Sequence, residues 1–392
     1  MASNKNQHFV PKVYLKPFGN NSGRSINLFA YSSDKCIQNA SIKGQCSGSY
    51  FYGKEEVFDN FNKHFEGKYG EAVSRIVAGK FSPSEISTLF RFFVLQNLRT
   101  PHWLKQRECA FDAFKNTVIG GKPLHELSKQ AQMVFDPQRE MQQQIYIAAK
   151  ASNALHDLRP VILVNRTKVP FITSDNPACI TNRLYTQRYR DETSGLSQSG
   201  LAIALPINAH LTFFAYDDDV YQSIGHSIVH EIRNEIDVHR LNELQAIMAT
   251  QALYFTNWED RAYITDLAEK THDRRRDSWL FVWTGIRDGE AAGFERYRKV
   301  TEADAESKAT RITSISPYTA APSTWPSFLR FKLRPRGFTT GSAIGYLRAG
   351  HAEKYTEIPS EATILPKQIP RHHLPQFRDV IWEKVSRKEV AA

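Results

Sequence analysis

The chain has no apolar run approaching the roughly 20 residues that a membrane-spanning helix needs. Its N-terminus shows no charged region followed by an apolar block, so no secretory leader is expected and the predicted location is the cytoplasm. Cysteine is scarce, with four in 392 residues at positions 36, 46, 109 and 179 and no CxxC pair. That spacing argues against a disulfide framework or a zinc site and predicts reduced thiols. GxGxxG, P-loop, GxSxG and HExxH patterns are absent too. Their absence removes the usual sequence signs of dinucleotide binding, phosphate-loop chemistry, serine hydrolysis and zinc proteolysis.

The 41% hydrophobic and 12% aromatic content is that of a folded chain, long enough for one large or two moderate domains. The formal net charge is +10 and the pI near 9.3. An anionic partner is favoured, nucleic acid first, with a merely basic surface as the plain alternative.

The densest stretch is Gln7-His8-Phe9-Val10-Pro11-Lys12-Val13-Tyr14-Leu15-Lys16-Pro17-Phe18. A terminus is usually polar and frayed unless something ties it down. The apolar residues here predict burial, which carries Gln7 and His8 into a shared pocket. Further on, Ser25 to Tyr31 reads as a strand, and residues 41 to 54 as irregular. From Glu55 apolar residues recur at threes and fours through Val77, predicting a helix with Glu66 beside its stripe.

Ser82-Pro83-Ser84-Glu85 is a capping box with proline at the first helical position. The helix it opens carries Leu89, Phe92, Phe93, Gln96, Arg99 and Trp103 on one face, and Pro101 interrupts it. Gln96 and Arg99 thus share the apolar face. A buried guanidinium without a partner costs several kcal/mol, on the order of what a lone buried charge incurs. Either a structural carboxylate such as Glu66 or Asp175 holds Arg99, or it awaits an anionic ligand.

Asp136-Pro137 opens a helix expected to run to Leu158. Val161–Val164 and Val169–Thr173 then read as a hairpin, ending in Ser174-Asp175-Asn176-Pro177. This tetrad is either a turn or a display of working side chains at a strand end. Leu201–Pro206 and Leu211–Tyr216 form another strand pair. Residues 225 to 257 read as one long helix, with Asn242 beside its apolar side. On it, His226 and His230 stand four apart, half of a metal site or solvated histidines.

Beyond Arg274-Arg275-Arg276 the character changes. Trp279 to Ile286 reads as a strand and residues 316 to 327 as a loop. Arg330, Lys332, Arg334 and Arg336 alternate with Leu329, Phe331 and Leu333, which in a strand places four cations on one face. A phosphate backbone is the natural complement of such a face, and a salt-bridged surface is the alternative. The tail from Pro366 is basic and proline-interrupted, a candidate docking arm.

Together these stretches resemble a bacterial family known mainly as a domain of unknown function. Its members begin with Gln-His-(Phe/Tyr)-Val-Pro-x-x-Tyr-Leu-x-x-Phe, matched here by Gln7, His8, Val10, Pro11, Tyr14, Leu15 and Phe18. The resemblance continues through an acidic residue like Glu66, the Gln-x-x-Arg-Thr-Pro of Gln96 to Pro101, Ser174 to Pro177, and an asparagine like Asn242. It covers roughly residues 5 to 260 and implies a site without naming a reaction.

The expected architecture is α+β, a helical layer on a largely antiparallel sheet, divided as residues 1–270 and a basic β-rich module at 271–392. The leading functional expectation is a phosphodiester hydrolase, a nuclease used against foreign nucleic acid. In it His8 serves as acid or base and Arg99 steadies the phosphate. Gln7, Gln96, Ser174, Asn176 and Asn242 position the ligand, while Asp175 and Glu66 orient His8 or hold a divalent ion. The alternative is a non-catalytic nucleic-acid-binding or effector-sensing protein in which the same cluster is structural and Arg330, Lys332, Arg334 and Arg336 make the contacts.

Overall fold

Helices begin where the capping signals stand and strands where apolar residues alternate. The computed structural model describes residues 5–54, 56–118, 124–126, 128–129, 132, 136–151, 154–186, 194–225, 227–276, 280–291, 294–304, 307, 309–339, 346–352, 360–364 and 382–385. The N-terminal part contains β1 (Asn6–His8), α1 (Lys12–Leu15), β2 (Ser25–Ala30), β3 (Lys35–Ser41) and β4 (Ser47–Ser49). The helical layer is α2 (Glu56–Val77), α3 (Pro83–Leu98), α4 (Pro101–Val118) and α5 (Pro137–Ala151). Next come β5 (Arg159–Asn165), β6 (Thr173–Ser174), β7 (Cys179–Asn182), β8 (Leu201–Asn208), β9 (Leu211–Tyr216) and β10 (Val229–Ile232). α6 (Glu235–Met248), β11 (Ala252–Phe255) and α7 (Arg261–Thr271) follow. The remaining strands are β12 (Leu280–Ala291), β13 (Phe294–Lys299), β14 (Arg311–Pro317), β15 (Arg336–Thr339), β16 (Ser360–Thr363) and β17 (Trp382–Val385).

The central sheet has the order β10-β5-β9-β8-β7, antiparallel except for the β10–β5 pair. The twofold period of its strands sorts their side chains onto two faces. Ile162, Ile203, Leu205, Phe213 and Ala215 pack toward the helical layer with Phe92, Phe93, Tyr14 and Phe18. Val161, Leu163, Ala202, Ala204, Phe214 and Tyr216 pack toward α6 with Val238, Leu241, Leu244 and Ile247. Both faces are therefore covered, and the α+β layering holds. A second sheet, β3-β2-β11-β6, packs against α7, and the smaller sheets β14-β12-β13-β17 and β15-β16 lie in the C-terminal part. Among the described residues, no helix is long and apolar enough to cross a membrane.

The capping box at Ser82 forms as its residues require. Glu85 accepts from the Ser82 N–H at 2.7 Å, and the Ser82 hydroxyl accepts from the Ser84 N–H at 3.3 Å. Three readings need correction. Residues 161–173 are not a hairpin, because β9 and β10 already occupy both edges of β5. Pro170 has no N–H to offer a ladder, and Asn165 instead ties the turn by donating to the Val169 carbonyl at 2.6 Å. Residues 225–257 are not one helix but strand, helix and strand. Asn234 caps α6, its side chain accepting from the Ile236 N–H at 3.1 Å. His230 therefore lies on β10, without helical spacing to His226, which falls outside the described residues. Helix α5 is described as far as Ala151, and residues 154–158 are not α-helical, so it does not run to Leu158. Trp279 and the tail from Pro366, apart from β17, also lie outside the described residues.

Candidate functional site

The N-terminal stretch is tied down at both ends. β1 pairs with β4, and the Phe9 N–H donates to the Cys46 carbonyl at 2.9 Å. Tyr14 is fully buried and its hydroxyl donates to the Pro206 carbonyl at 2.7 Å, with Thr173 Oγ1 at 2.8 Å. Gln7, buried beside it, uses both ends of its amide: Oε1 accepts from the Tyr52 N–H at 2.7 Å and Nε2 donates to the Gly53 carbonyl at 2.9 Å. His8 is half-buried, with Nδ1 3.0 Å from the Gln45 carbonyl. A carbonyl can only accept, so in the neutral ring Nδ1 carries the proton and Nε2 is the acceptor. Burial, and then the Lys12 charge, lowers the His8 pKa below its usual value.

Arg99 stands at the C-terminal cap of α3, 1% exposed. Of the two carboxylates weighed for it, Glu66 holds it, at 3.1 Å from Nη1. Nε donates to Gln96 Oε1 at 3.1 Å, and Gln96 Nε2 donates onward to the Phe9 carbonyl at 2.9 Å. Thus Gln96 links the guanidinium to the backbone that follows His8. The guanidinium also lies 5.5 Å from the Phe92 ring centre. Asn62, Glu66 and Tyr69 project from one face of α2 at spacings of four and three, and Asn62 Oδ1 is 3.5 Å from Arg99 Nη1. Tyr69 stacks on Phe92 at 3.7 Å, and burial raises its pKa. Three buried polar atoms here lack a hydrogen-bond partner among the described residues: Arg99 Nη2, Asn62 Nδ2 and the Tyr69 hydroxyl. Neither Asn62 nor Tyr69 was singled out from sequence, although their spacing with Glu66 was the available signal.

The turn at Ser174 to Pro177 is clasped by α6 and β11. The Ser174 hydroxyl donates to Gln245 Oε1 at 3.0 Å, and Gln245 Nε2 donates to the Pro177 carbonyl at 2.9 Å. Asn176 Nδ2 donates to the Met248 carbonyl at 3.1 Å, while the Thr100 hydroxyl donates to Asn176 Oδ1 at 3.4 Å. That last bond joins this turn to the end of the Arg99 helix. Asp175 is fully buried and accepts from the N–H groups of Thr250, Gln251 and Ala252 at 3.0, 3.0 and 3.2 Å, and from the Thr250 hydroxyl. Burial raises its pKa, with the four donors opposing. Asn242 accepts from the Ile172 N–H at 3.1 Å and donates to the Pro170 carbonyl at 2.9 Å. Glu66 and Asp175 are thus committed to different partners. Among the described residues, no group of three or more His, Cys, Asp or Glu is placed to hold a metal ion.

The basic stretch folds otherwise than expected. It is an irregular segment with one isolated bridge, Tyr221 to Phe331, before β15 starts at Arg336. The Lys332 N–H goes to the Val220 carbonyl at 2.9 Å and that of Arg336 to Asp219 at 3.1 Å, so no regular ladder forms. Leu333 is 96% exposed rather than buried beneath the cations. Acids are at hand as well. Arg336 pairs with Asp219 at 2.8 Å and Glu361 at 3.2 Å, and Lys332 lies 3.9 Å from Asp218. Arg330 donates from Nε to the Ser327 carbonyl at 2.7 Å, and Arg334 is exposed. The four cations therefore do not form one strand face.

Residues 6–259 match the family described as protein of unknown function (DUF4238), and the chain belongs to that family. No curated protein and no solved structure matches the chain.

Proposed function

We propose that this member of a family of unknown function is a non-catalytic, effector-sensing protein that receives an anionic group beside Arg99. The observation that carries the reading is the set of three buried donors, Arg99 Nη2, Asn62 Nδ2 and the Tyr69 hydroxyl, left without an acceptor among the described residues. Buried donors normally find partners, and leaving one unmade costs about 1–3 kcal/mol. A phosphate or carboxylate oxygen supplies acceptors for all three. Glu66, only partly buried, marks the side from which a ligand enters. In this reading the Gln-His-x-Val-Pro-x-x-Tyr-Leu-x-x-Phe, Gln-x-x-Arg-Thr-Pro and Ser-Asp-Asn-Pro stretches are the family's structural signature. The net charge of +10 favours a polyanionic form of the ligand, nucleic acid first.

Tyr69→Phe tests the proposal cleanly. Its hydroxyl has no hydrogen-bond partner among the described residues, so removal should leave the melting temperature unchanged or raised. Titration with inorganic phosphate, AMP and a 5′-phosphorylated oligonucleotide, followed by calorimetry and thermal shift, should show binding in the parent that weakens about threefold to tenfold in the variant, a charge-assisted bond being lost. No binding of any of the three, or equal binding by Tyr69→Phe, overturns the reading. Phosphodiester hydrolysis is the second reading, favoured by a half-buried His8 whose neutral ring keeps Nε2 as a proton acceptor. Turnover of RNA or DNA that disappears in a folded His8→Ala variant would replace sensing by catalysis.

A further inference from the structure

A concavity lies along α3, with a lining that includes no residue of the Arg99 cluster. Its volume is about 570 Å³, within the range of small-molecule sites. Pro83, Ile86, Ser87, Phe90 and Arg91 form one wall, at the spacing of a single helix face. Leu158, Pro160 and Ile228 form the other, at the seam where β5 and β10 meet the helical layer. The floor is firm, because the Phe90 ring packs edge-on against Phe213 at 5.1 Å. None of the lining residues is acidic. Arg91 is exposed and, among the described residues, makes no hydrogen bond or ion pair.

An apolar trough closed at one end by an uncompensated cation has a definite chemical complement. We propose that this groove binds a small amphipathic monoanion, a medium-chain carboxylate, with its chain along α3 and its carboxylate at Arg91. From Pro83 to Arg91 the helix advances about 12 Å at 1.5 Å per residue, which a medium-length alkyl chain spans. The apolar walls bind the chain, and the guanidinium selects a carboxylate over a neutral head group. Apart from Arg91 the lining holds one further basic side chain, His156, and is otherwise largely apolar, which suits a monoanion better than a phosphate-rich ligand.

Calorimetric titration of the full chain with decanoate and with decanol tests this. Decanoate should bind about threefold to tenfold more tightly than decanol, the preference expected of a partly exposed charged contact. Arg91→Gln, at an exposed position, keeps the fold and should bind both ligands alike. Ser87→Trp places an indole in the groove and should abolish both. Absence of decanoate binding, equal affinity for decanol in the parent, a preference retained by Arg91→Gln, or full binding by Ser87→Trp each overturns the proposal.

Discussion

Asp175→Asn is the perturbation that best separates architecture from chemistry in the Ser174–Pro177 turn. The carboxylate accepts four hydrogen bonds, two backbone N–H groups at Oδ1 and one N–H plus the Thr250 hydroxyl at Oδ2. An asparagine of the same shape can face only one of these pairs with its oxygen. With its NH2 group at the Oδ2 side, the Thr250 hydroxyl can turn to accept, the Gln251 N–H is left unpaired at a cost of about 1–3 kcal/mol, and the bonds at the remaining oxygen lose their charge assistance. Removing a buried charge returns part of that, since burial disfavours the ionised carboxyl. The net loss should be about 3 kcal/mol. For a unit of this size about 2–4 °C is lost per kcal/mol, so the melting temperature should fall by about 10 °C. Thr250→Val removes one of the four donors and should couple to Asp175→Asn by about 1 kcal/mol in a double-mutant cycle. Urea denaturation and calorimetry supply both numbers. A variant that melts with the parent yet loses ligand binding or turnover would refute this reasoning and make Asp175 a working residue.

Two other predictions follow from the same geometry. His102 is buried, and burial with a lesser contribution from Lys105 lowers its pKa to about 4. For a histidine so shifted the neutral form is the folded one. Stability is then fully present above the unfolded value near 6.5 and is lost as pH falls toward about 4, at about 1.4 kcal/mol per pH unit. The unfolding free energy should drop by on the order of 3 kcal/mol across that window, and His102→Gln should flatten the drop. Any binding to single-stranded DNA should weaken with salt. Replacing Arg330, Lys332 and Arg334 by Gln should reduce the salt slope by no more than about two, because Lys332 already faces Asp218. Fluorescence anisotropy across a salt series measures it, and a slope reduced by the full complement of cations would restore the single basic face.

Signals contained within one turn of chain were legible, while those that depend on a distant edge were not. The Ser82 box and the apolar stripe of α3 specify start, face and burial locally, and β8 and β9 are nearly continuous apolar runs, as strands buried on both faces require. Strand β10 is four residues long and exists because β5 offers it a parallel edge, a partner more than sixty positions earlier. The cations at 330 to 336 alternate as a strand would, yet alternation cannot supply the ladder their N–H groups need. Those of Lys332 and Arg336 find the 219–220 turn instead, and that of Arg330 the Phe328 carbonyl. The burial of Arg99 followed from its helix face. Its partner did not, because choosing Glu66 over Asp175 depends on how α2 lies against α3.

The polar residues of the N-terminal, α3 and Ser174 stretches share a feature that explains why they are mostly amides. Gln7, Gln96, Asn176, Asn242 and Gln245 each accept one hydrogen bond and donate another to a backbone carbonyl, Asn242 donating also to the Tyr263 hydroxyl and Gln245 to Cys179 Sγ. These carbonyls, at Gly53, Phe9, Met248, Pro170 and Pro177, lie in turns or at helix and strand ends where no regular ladder reaches them. A buried carbonyl without a donor is costly, and a carboxylate or thioether could not fill the need. Only a side chain with donor and acceptor on one rigid group bridges two such points at once. Residues that look catalytic in a one-dimensional reading can therefore be the means by which irregular chain is buried at all. What distinguishes Arg99 from these amides is that its Nη2, like Asn62 Nδ2 and the Tyr69 hydroxyl, has no hydrogen-bond partner among the described residues.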